Sequence, residues 1–242
     1  MSLEAVRNAI RPLLNPNDPQ DAMAVYYAFY HPIQKTELII HPKKAKRAEG
    51  YVSVSRTGLD LFRPLITMRL PRNFEVGAEL LYTALPEESA VMIYAPLTYR
   101  PLLDAVFDIQ TDETYRLLVI DRSRFKPIIN VHVTQASGPN NLPRFIIRAT
   151  HDRDQVAAAS GLNWQTPNFS EISVNTTPGQ RRQGWGRSVV AAMVQYVLES
   201  GRTPLYVVTD QNEPSLRLAE SVGFVDTGKR LIFAQAIRRK AN

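Results

Sequence analysis

The chain has 242 residues, of which 44% are hydrophobic and 21% charged, and its formal net charge is +6. This composition supports an apolar core and excludes bulk disorder, and the lack of cysteine excludes disulfides, thiolate metal sites and a thiol nucleophile. The positive charge favours an anionic partner, which could be a nucleic acid, a membrane surface or a polyphosphate cofactor.

Strand and helix patterns alternate through the first half of the chain. A helix is predicted at 18–30, where Asp18 can cap the first turn and Pro19 suits it. The remaining patterns predict strands at 36–40, 51–55, 61–68, 90–94, 115–120 and 128–134, and helices at 76–84 and 99–107. The basic run from Lys43 to Arg47 then lies in a loop between two strands, an interpretation that we prefer to a nucleic-acid site.

Residues 136–143, Ala-Ser-Gly-Pro-Asn-Asn-Leu-Pro, form the clearest break in the pattern. Turn-favouring residues follow one another there, which predicts a linker or a long loop. We therefore expect an N-terminal α/β half at 1–137 and a second domain at 138–242. The order of elements is similar in both halves, which suggests that the first half is a degenerate copy of the second, although no repeat of residues supports this.

The second half begins with a predicted strand at 144–148 and a hairpin at 155–163. A strand at 170–176 leads into a glycine-rich loop and then a helix at 185–200, which Gly201 and Pro204 end. A strand at 205–209, a short helix at 215–222 and strands at 224–226 and 231–236 complete the pattern.

The most informative stretch, residues 171–188, joins a strand to a helix through a loop rich in Arg, Gln and Gly. A helix begins with unpaired backbone N–H groups and the positive end of its dipole, which together attract anions. Gly184 and Gly186 lack a Cβ and let a phosphate approach the backbone. Three arginines add positive charge: Arg181, Arg182 and Arg187. The loop therefore suits a pyrophosphate.

Two common phosphate-binding patterns do not fit this loop. A dinucleotide fingerprint needs a third glycine where the chain has Val189. A P-loop needs Lys and then Ser or Thr where the chain has Trp185 and Gly186.

The pattern that fits is Arg/Gln-x-x-Gly-x-Gly/Ala, present here as Arg181-Arg182-Gln183-Gly184-Trp185-Gly186. One helix and one strand later comes a second block, from Asn212 to Gly223 and Phe224. Both blocks resemble motifs of the GNAT acetyltransferase superfamily, and the resemblance covers about residues 145–236. It implies an α/β (α+β) fold with a mixed, mostly antiparallel sheet flanked by helices, and the transfer of an acetyl group from acetyl-CoA to a primary amine.

The resemblance also implies which residues hold acetyl-CoA. In this family the strand before the loop splays from the next parallel strand, and the pantetheine arm lies in the cleft. Residues implied to contact the arm are Val174, Asn175 and Thr176 on one side and Asn212 and Ser215 on the other; a helix cap is the alternative role for Asn212. Residues implied to hold the pyrophosphate are Arg181, Arg182, Gln183, Gly184, Trp185, Gly186, Arg187 and Ser188, although the Trp185 ring could instead pack the helix onto the sheet.

Catalysis needs a base, because a lysine-like amine has a pKa of about 10.4 and attacks a thioester only when neutral. Glu171 is the candidate, since it lies on the strand where several related acetyltransferases carry their base. It could also be an exposed strand residue or the partner of an arginine, whereas burial among apolar neighbours would raise its pKa. The tyrosine that often protonates the leaving thiolate in this family corresponds to Ala219, so the general acid stays open.

The leading prediction is therefore a cytoplasmic N-acetyltransferase whose amine acceptor is open and which could form a homodimer. The N-terminus does not resemble a signal peptide, and no apolar run reaches the roughly 18 residues of a membrane span. A non-catalytic acyl-CoA sensor, favoured by Ala219, and a nucleic-acid binder, suggested by the charge, are the alternatives. No metal is expected, because the four histidines show no ligand spacing: His31, His41, His132 and His151.

Overall fold

A computed structural model describes residues 1–138, 141–149 and 155–240. Contacts divide the chain into two compact units, Met1–Tyr115 with Lys229–Asn242, and Arg116–Gly228. Strands β5 (Phe107–Ile120) and β11 (Phe224–Arg238) contribute residues to both units. This division differs from the boundary expected at 137/138, which stays a prediction. Two residues of the expected linker, Pro139 and Asn140, and His151 lie outside the described residues.

The first unit is a sheet with helices packed against it. Its strands are β1 (Thr36–His41), β2 (Gly50–Ser55), β3 (Leu65–Arg69) and β4 (Ala90–Pro96), in the order β1-β2-β3-β4-β11-β5. Its helices are α1 (Leu3–Ile10), α2 (Ala22–Val25), which continues as a π-helical turn to Tyr30, α3 (Phe74–Ala84) and α4 (Arg100–Val106). Strands β3 and β4 are parallel and joined through α3, whereas β1, β2 and β3 pair in antiparallel fashion.

Successive side chains of β2 point to opposite faces of the sheet and pack in two different apolar clusters. Val52 packs in the cluster that α3 and α4 complete, whereas its neighbour Tyr51 packs with residues of α1 and α2. A mostly buried ion pair, Arg69 with Asp21, ties the start of α2 to β3. The guanidinium is also held by backbone carbonyls, because its Nη1 donates to the carbonyl of Met68 at 2.7 Å.

The second unit contains β6 (Thr134–Ser137), β7 (Pro143–Arg148), β8 (Val156–Gln165), β9 (Phe169–Thr176) and β10 (Thr203–Thr209). Its strand order is β11-β5-β10-β9-β8-β7-β6. Helices α5 (Trp185–Glu199) and α6 (Glu213–Val222) close a cluster that includes Leu118, Ile172, Val190, Met193, Val194, Tyr206, Ala219 and Phe224. No described helix in the protein is long and apolar enough to cross a membrane.

The predicted fold class, a mixed and mostly antiparallel sheet flanked by helices, is confirmed. The predicted hairpin at 155–163 is wrong, since Gly161 pairs with Arg144 on one side and Ser173 on the other within one continuous strand. The strand predicted at 128–134 is also wrong, because β6 begins at Thr134. The two strands expected at the C-terminal end are one, since Gly228 adopts φ +73° without ending β11.

Candidate active site

The ladder between β9 and β10 stops partway along both strands. Among the described residues, β10 pairs with β9 over three positions, which end at Leu205 opposite Glu171. Beyond that pair both strands continue, and residues 172–176 of β9 keep their antiparallel pairing with β8. The edge of β9 that faces away from β8 therefore has backbone N–H and C=O groups available to a ligand that carries amides.

Glu171 lies at the last pair of this ladder, opposite a bulge in β8. The register between β8 and β9 shifts between Leu162 and Trp164, so that Asn163 and Trp164 together face Glu171. The bulge brings Asn163 within reach, and its Nδ2 donates a hydrogen bond of 2.8 Å to Glu171 Oε1. The alternative interpretation of Glu171 as an exposed strand residue is therefore wrong, because Glu171 is 7% exposed.

The environment of Glu171 favours the protonated carboxyl group. Burial raises its pKa from 4.5 to about 7, and the neighbouring polar groups of Asn163 and Trp164 oppose this rise. The second oxygen, Oε2, is buried without a hydrogen-bond partner among the described residues. Such an oxygen is costly to leave in place unless a ligand group uses it, which marks Glu171 as a candidate functional residue.

The first turn of α5 has backbone N–H groups that no N-cap side chain satisfies. Gly184 precedes the helix with φ +76°, and as a glycine it has no side chain with which to cap the helix. The first intrahelical bond runs from Ser188 N–H to the Gly184 carbonyl at 3.1 Å, so the amides of Trp185, Gly186 and Arg187 come before it. A Cβ built on Gly184 meets no described residue within 4 Å, which shows that the space beside Gly184 is open.

The two glycines of this turn have different roles. Gly184 supplies the left-handed backbone that the turn requires, whereas Gly186 is buried. A Cβ on Gly186 would lie 2.8 Å from Leu218 Cδ1 and 3.1 Å from Thr176 Oγ1. Gly186 thus allows α5 to pack closely on its neighbours, a different reason from the phosphate approach expected from the sequence.

Trp185 and Ser188 face the protein interior. The Trp185 side chain is 8% exposed and packs in a cluster with Ile147, Ala157 and Val189. Ser188 is buried, and its hydroxyl donates to the Gly184 carbonyl at 3.4 Å. Trp185 can therefore contribute only its backbone N–H to a ligand, whereas the N–H and the hydroxyl of Ser188 both donate to the Gly184 carbonyl, so the predicted contact of Ser188 with the pyrophosphate has no free donor here.

The polar side chains of the loop lie outside this interior. Arg181, Arg182 and Gln183 are exposed, and Arg187 is half-buried. Arg181 Nε donates to the Thr176 carbonyl at 3.3 Å, which holds this arginine beside the end of β9. The loop thus carries two arginines immediately before α5, and Arg187 adds a third in its first turn.

The residues expected to contact the pantetheine arm occupy both sides of the opening. Val174 and Thr176 are half-buried on β9, and Asn175 is exposed. Asn212 caps α6, since its Oδ1 accepts from Ser215 N at 3.2 Å, as the alternative interpretation of this residue predicted. Ser215 uses its hydroxyl elsewhere, in a 2.7 Å hydrogen bond with the Tyr206 hydroxyl.

Two residues of this region were missed by sequence reasoning, Asn163 and Tyr206. A β-bulge has no sequence signature, so nothing in the pattern of β8 singles out Asn163. Tyr206 could have been noticed, since a buried tyrosine in a strand needs a hydrogen-bond partner for its hydroxyl.

The sequence and the structure were compared with those of known proteins. Residues 153–232 match the family model described as FR47-like protein, and no curated protein matches the sequence. A Drosophila protein has a similar structure, with a TM-score of 0.69, 13% identity and coverage of 98% of this chain and 96% of its own. An acetyltransferase of the GNAT family from Colwellia psychrerythraea gives a TM-score of 0.60 with 12% identity, covering 98% and 97%. A tandem GNAT protein from the clavulanic acid biosynthesis pathway gives 0.61 with 12% identity, covering 99% and 94%.

Proposed function

We propose that this chain, which has the GNAT fold and carries an FR47-like domain at residues 153–232, transfers an acetyl group from acetyl-CoA to a primary amine. One observation carries the proposal: the ladder between β9 and β10 ends at a buried carboxyl group, Glu171. The same strand, β9, leads directly into the uncapped N-terminus of α5. A base and an anion site thus lie at the two ends of one open strand edge.

The residues present fit acetyl-CoA. The amides of Trp185, Gly186 and Arg187, with the neighbouring arginines, suit its pyrophosphate, and the open space at Gly184 admits it. The unpaired edge of β9 from residue 172 to 176 suits the amides of the pantetheine arm. When bound, acetyl-CoA supplies an activated acyl group as a thioester.

Glu171 takes up the proton that the attacking amine, which enters as the neutral free base, loses from nitrogen when it is acylated. With a pKa of about 7 it is partly ionised at neutral pH, which is a suitable range for a general base. The amine nitrogen attacks the thioester carbonyl carbon, the carbon–sulfur bond breaks, and the proton lost by nitrogen goes to Glu171. Asn163 keeps Oε1 occupied, so Oε2 is the oxygen available to take this proton.

The first unit supports the proposal of a degenerate GNAT-like half. Its parallel strands β3 and β4 pair at two positions, Leu65 with Met92 and Ile66 with Ile93, and α3 connects them. The N-terminus of α3, however, is capped by its own side chain, because Asn73 Oδ1 accepts from Val76 N at 3.1 Å. A capped helix preceded by no glycine-rich loop does not provide the anion site of α5, so we place the acetyl-CoA site in the second unit alone.

A non-catalytic acyl-CoA sensor is the second candidate. Ala219, at the motif position of the family's tyrosine, is 0% exposed in the apolar core and cannot donate a proton. A sensor would use the same anion site and strand edge but would not need the perturbed carboxyl group of Glu171.

Substitution of Glu171 separates these two candidates. The purified chain is mixed with acetyl-CoA and a panel of polyamines, aminoglycosides and lysine-containing peptides, and release of the coenzyme A thiol is followed. We expect Glu171→Gln to lower kcat by about 100-fold or more, while the Kd for acetyl-CoA changes less than about twofold. The exposed Glu199→Gln is the matched control. If the wild type binds acetyl-CoA but acetylates no amine of the panel, the result would favour the sensor. If Glu171→Gln keeps full turnover, Glu171 is not the general base.

A further inference from the structure

We infer that the hydroxyl pair of Tyr206 and Ser215 donates the proton that the departing thiolate of coenzyme A takes up. The inference rests on the proposed acetyl transfer and deepens it by naming the proton donor that the motif leaves open at Ala219. Expelling a thiolate requires such a donor, because the charge on sulfur otherwise develops in a partly buried site without a partner.

Tyr206 stands at the point where the two strands separate. It directly follows Leu205, the last residue of β10 that pairs with β9. Paired residues of a ladder share a face and neighbours alternate, so Leu205 and Glu171 lie on one face and Tyr206 on the other. The apolar cluster confirms this, since it contains both Tyr206 and Ile172, the residue that follows Glu171. A base and a proton donor therefore flank the opening from opposite faces of the sheet.

The hydrogen bond between the two hydroxyls leaves one proton to give away. Tyr206 Oη and Ser215 Oγ are 2.7 Å apart, and either can be the donor. Two hydroxyls carry two protons, and only one lies between the oxygens, so the other is not used within the pair in either arrangement. Ser215 is the third residue of α6, where the positive end of the helix dipole also favours an anionic sulfur.

The surroundings keep the Tyr206 hydroxyl protonated and in place. The side chain is 3% exposed, and its ring packs against Phe224 with 5.4 Å between centroids. Burial raises the pKa of Tyr206, and the hydrogen bond with Ser215 partly opposes this. The phenol therefore keeps its proton at neutral pH.

Ala219 has a small side chain at the position on α6 where the family motif often has a tyrosine. Ala219 lies one helical turn after Ser215, on the same face of α6, and packs in the same cluster as Tyr206. The phenol of β10 thus reaches the helix face on which the motif would place a tyrosine.

The transfer step balances in atoms and charge. The amine nitrogen forms a bond to the carbonyl carbon, Glu171 takes the amine proton, and the carbon–sulfur bond breaks with its electron pair on sulfur. The hydroxyl pair gives one proton to that sulfur and is reprotonated from water, while Glu171 releases its proton to water. The net products are the N-acetylated amine and coenzyme A with a free thiol.

An experiment that needs no amine acceptor tests the pair directly. Coenzyme A is bound to the wild type and its thiol is titrated by the ultraviolet absorbance of the thiolate. A hydrogen bond from the pair lowers the pKa of the bound thiol, so we expect Tyr206→Phe to raise that pKa by about one pH unit or more. The matched control is Tyr196→Phe, on α5, whose ring packs against Phe145. We expect the control to titrate like the wild type.

Turnover supplies the second readout, with any amine of the panel that the wild type acetylates. We expect Tyr206→Phe to lower kcat by about tenfold or more with unchanged affinity for acetyl-CoA, and Ser215→Ala to lower it less, because the phenol remains. Equal thiol pKa values in wild type and Tyr206→Phe would overturn the inference, as would full kcat in that variant. If the wild type binds coenzyme A but acetylates no amine, the proposed acetyl transfer is refuted. If Tyr206→Phe leaves the thiol titration as in the wild type, the proton donor is refuted, so the two failures can be told apart.

Discussion

Replacing Glu171 by glutamine should change how the stability of the second unit depends on pH. The folded-state pKa is about 7 and the ordinary value is 4.5, so the folded protein binds the extra proton between these two pH values. Stability conferred by that proton is fully present below pH 4.5 and is lost as the pH rises through 7. At 1.36 kcal/mol per pH unit, the loss between about pH 4 and about pH 8 is about 3 kcal/mol.

Chemical denaturation followed by tryptophan fluorescence measures this effect. The chain's two tryptophans, Trp164 and Trp185, are buried in the second unit and report its unfolding. We compare the stability of Glu171→Gln with that of the wild type at each pH. We expect the free energy of unfolding of the variant, minus that of the wild type, to be about 3 kcal/mol higher at about pH 8 than at about pH 4. Any cost of burying the glutamine amide is the same at both pH values and cancels. The exposed Glu199→Gln should differ from wild type by less than about 0.5 kcal/mol at either pH. A difference for Glu171→Gln that does not vary with pH would refute the burial argument.

Four further substitutions test other parts of the structure. Asn163→Ala removes a hydrogen bond that lowers the pKa of Glu171, so the acid limb of the pH–rate profile should move to higher pH by up to about one unit; an unmoved profile would contradict the positioning role. Gly223→Ala should destabilise the second unit by at least about 2 kcal/mol in denaturant titrations, because φ is +114° and a Cβ would lie 2.9 Å from the Phe125 amide nitrogen. Gly228→Ala, with φ +73° and nothing within 4 Å, should cost only about 1 kcal/mol. Asp21→Ala should destabilise the first unit by about 3 kcal/mol, measured by circular dichroism, because a mostly buried guanidinium loses its partner.

The elements around the site were predictable because local signals mark their ends. Gly184 and Gly201 bracket the long helix, which runs from Trp185 to Glu199, and Asn212 and Gly223 bracket the short one. These glycines adopt positive φ, a requirement that the sequence shows directly. The glycine-rich loop and the second block therefore suggested the fold from sequence alone.

The contacts that tune the site were not predictable in this way. The hydrogen bond from Asn163 to Glu171 depends on a one-residue bulge in β8, and no local pattern signals a shift of register. The pair of Tyr206 and Ser215 joins a strand to a helix through tertiary packing. The same limit explains the wrong hairpin, because Gly161 looks like a turn residue until both of its neighbouring strands are known.

Calorimetric titration of the purified protein with acetyl-CoA shows whether the first turn of α5 holds this molecule. Gly184→Asp places a negative charge in the anion site, whereas Gly201→Asp places the same side chain after the other end of α5, at a similar φ of +78° and with equal space. We predict saturable binding by the wild type, retained by Gly201→Asp and lost in Gly184→Asp with both variants folded. Equal binding by all three proteins, or no binding by the folded wild type, would show that the first turn of α5 does not hold acetyl-CoA.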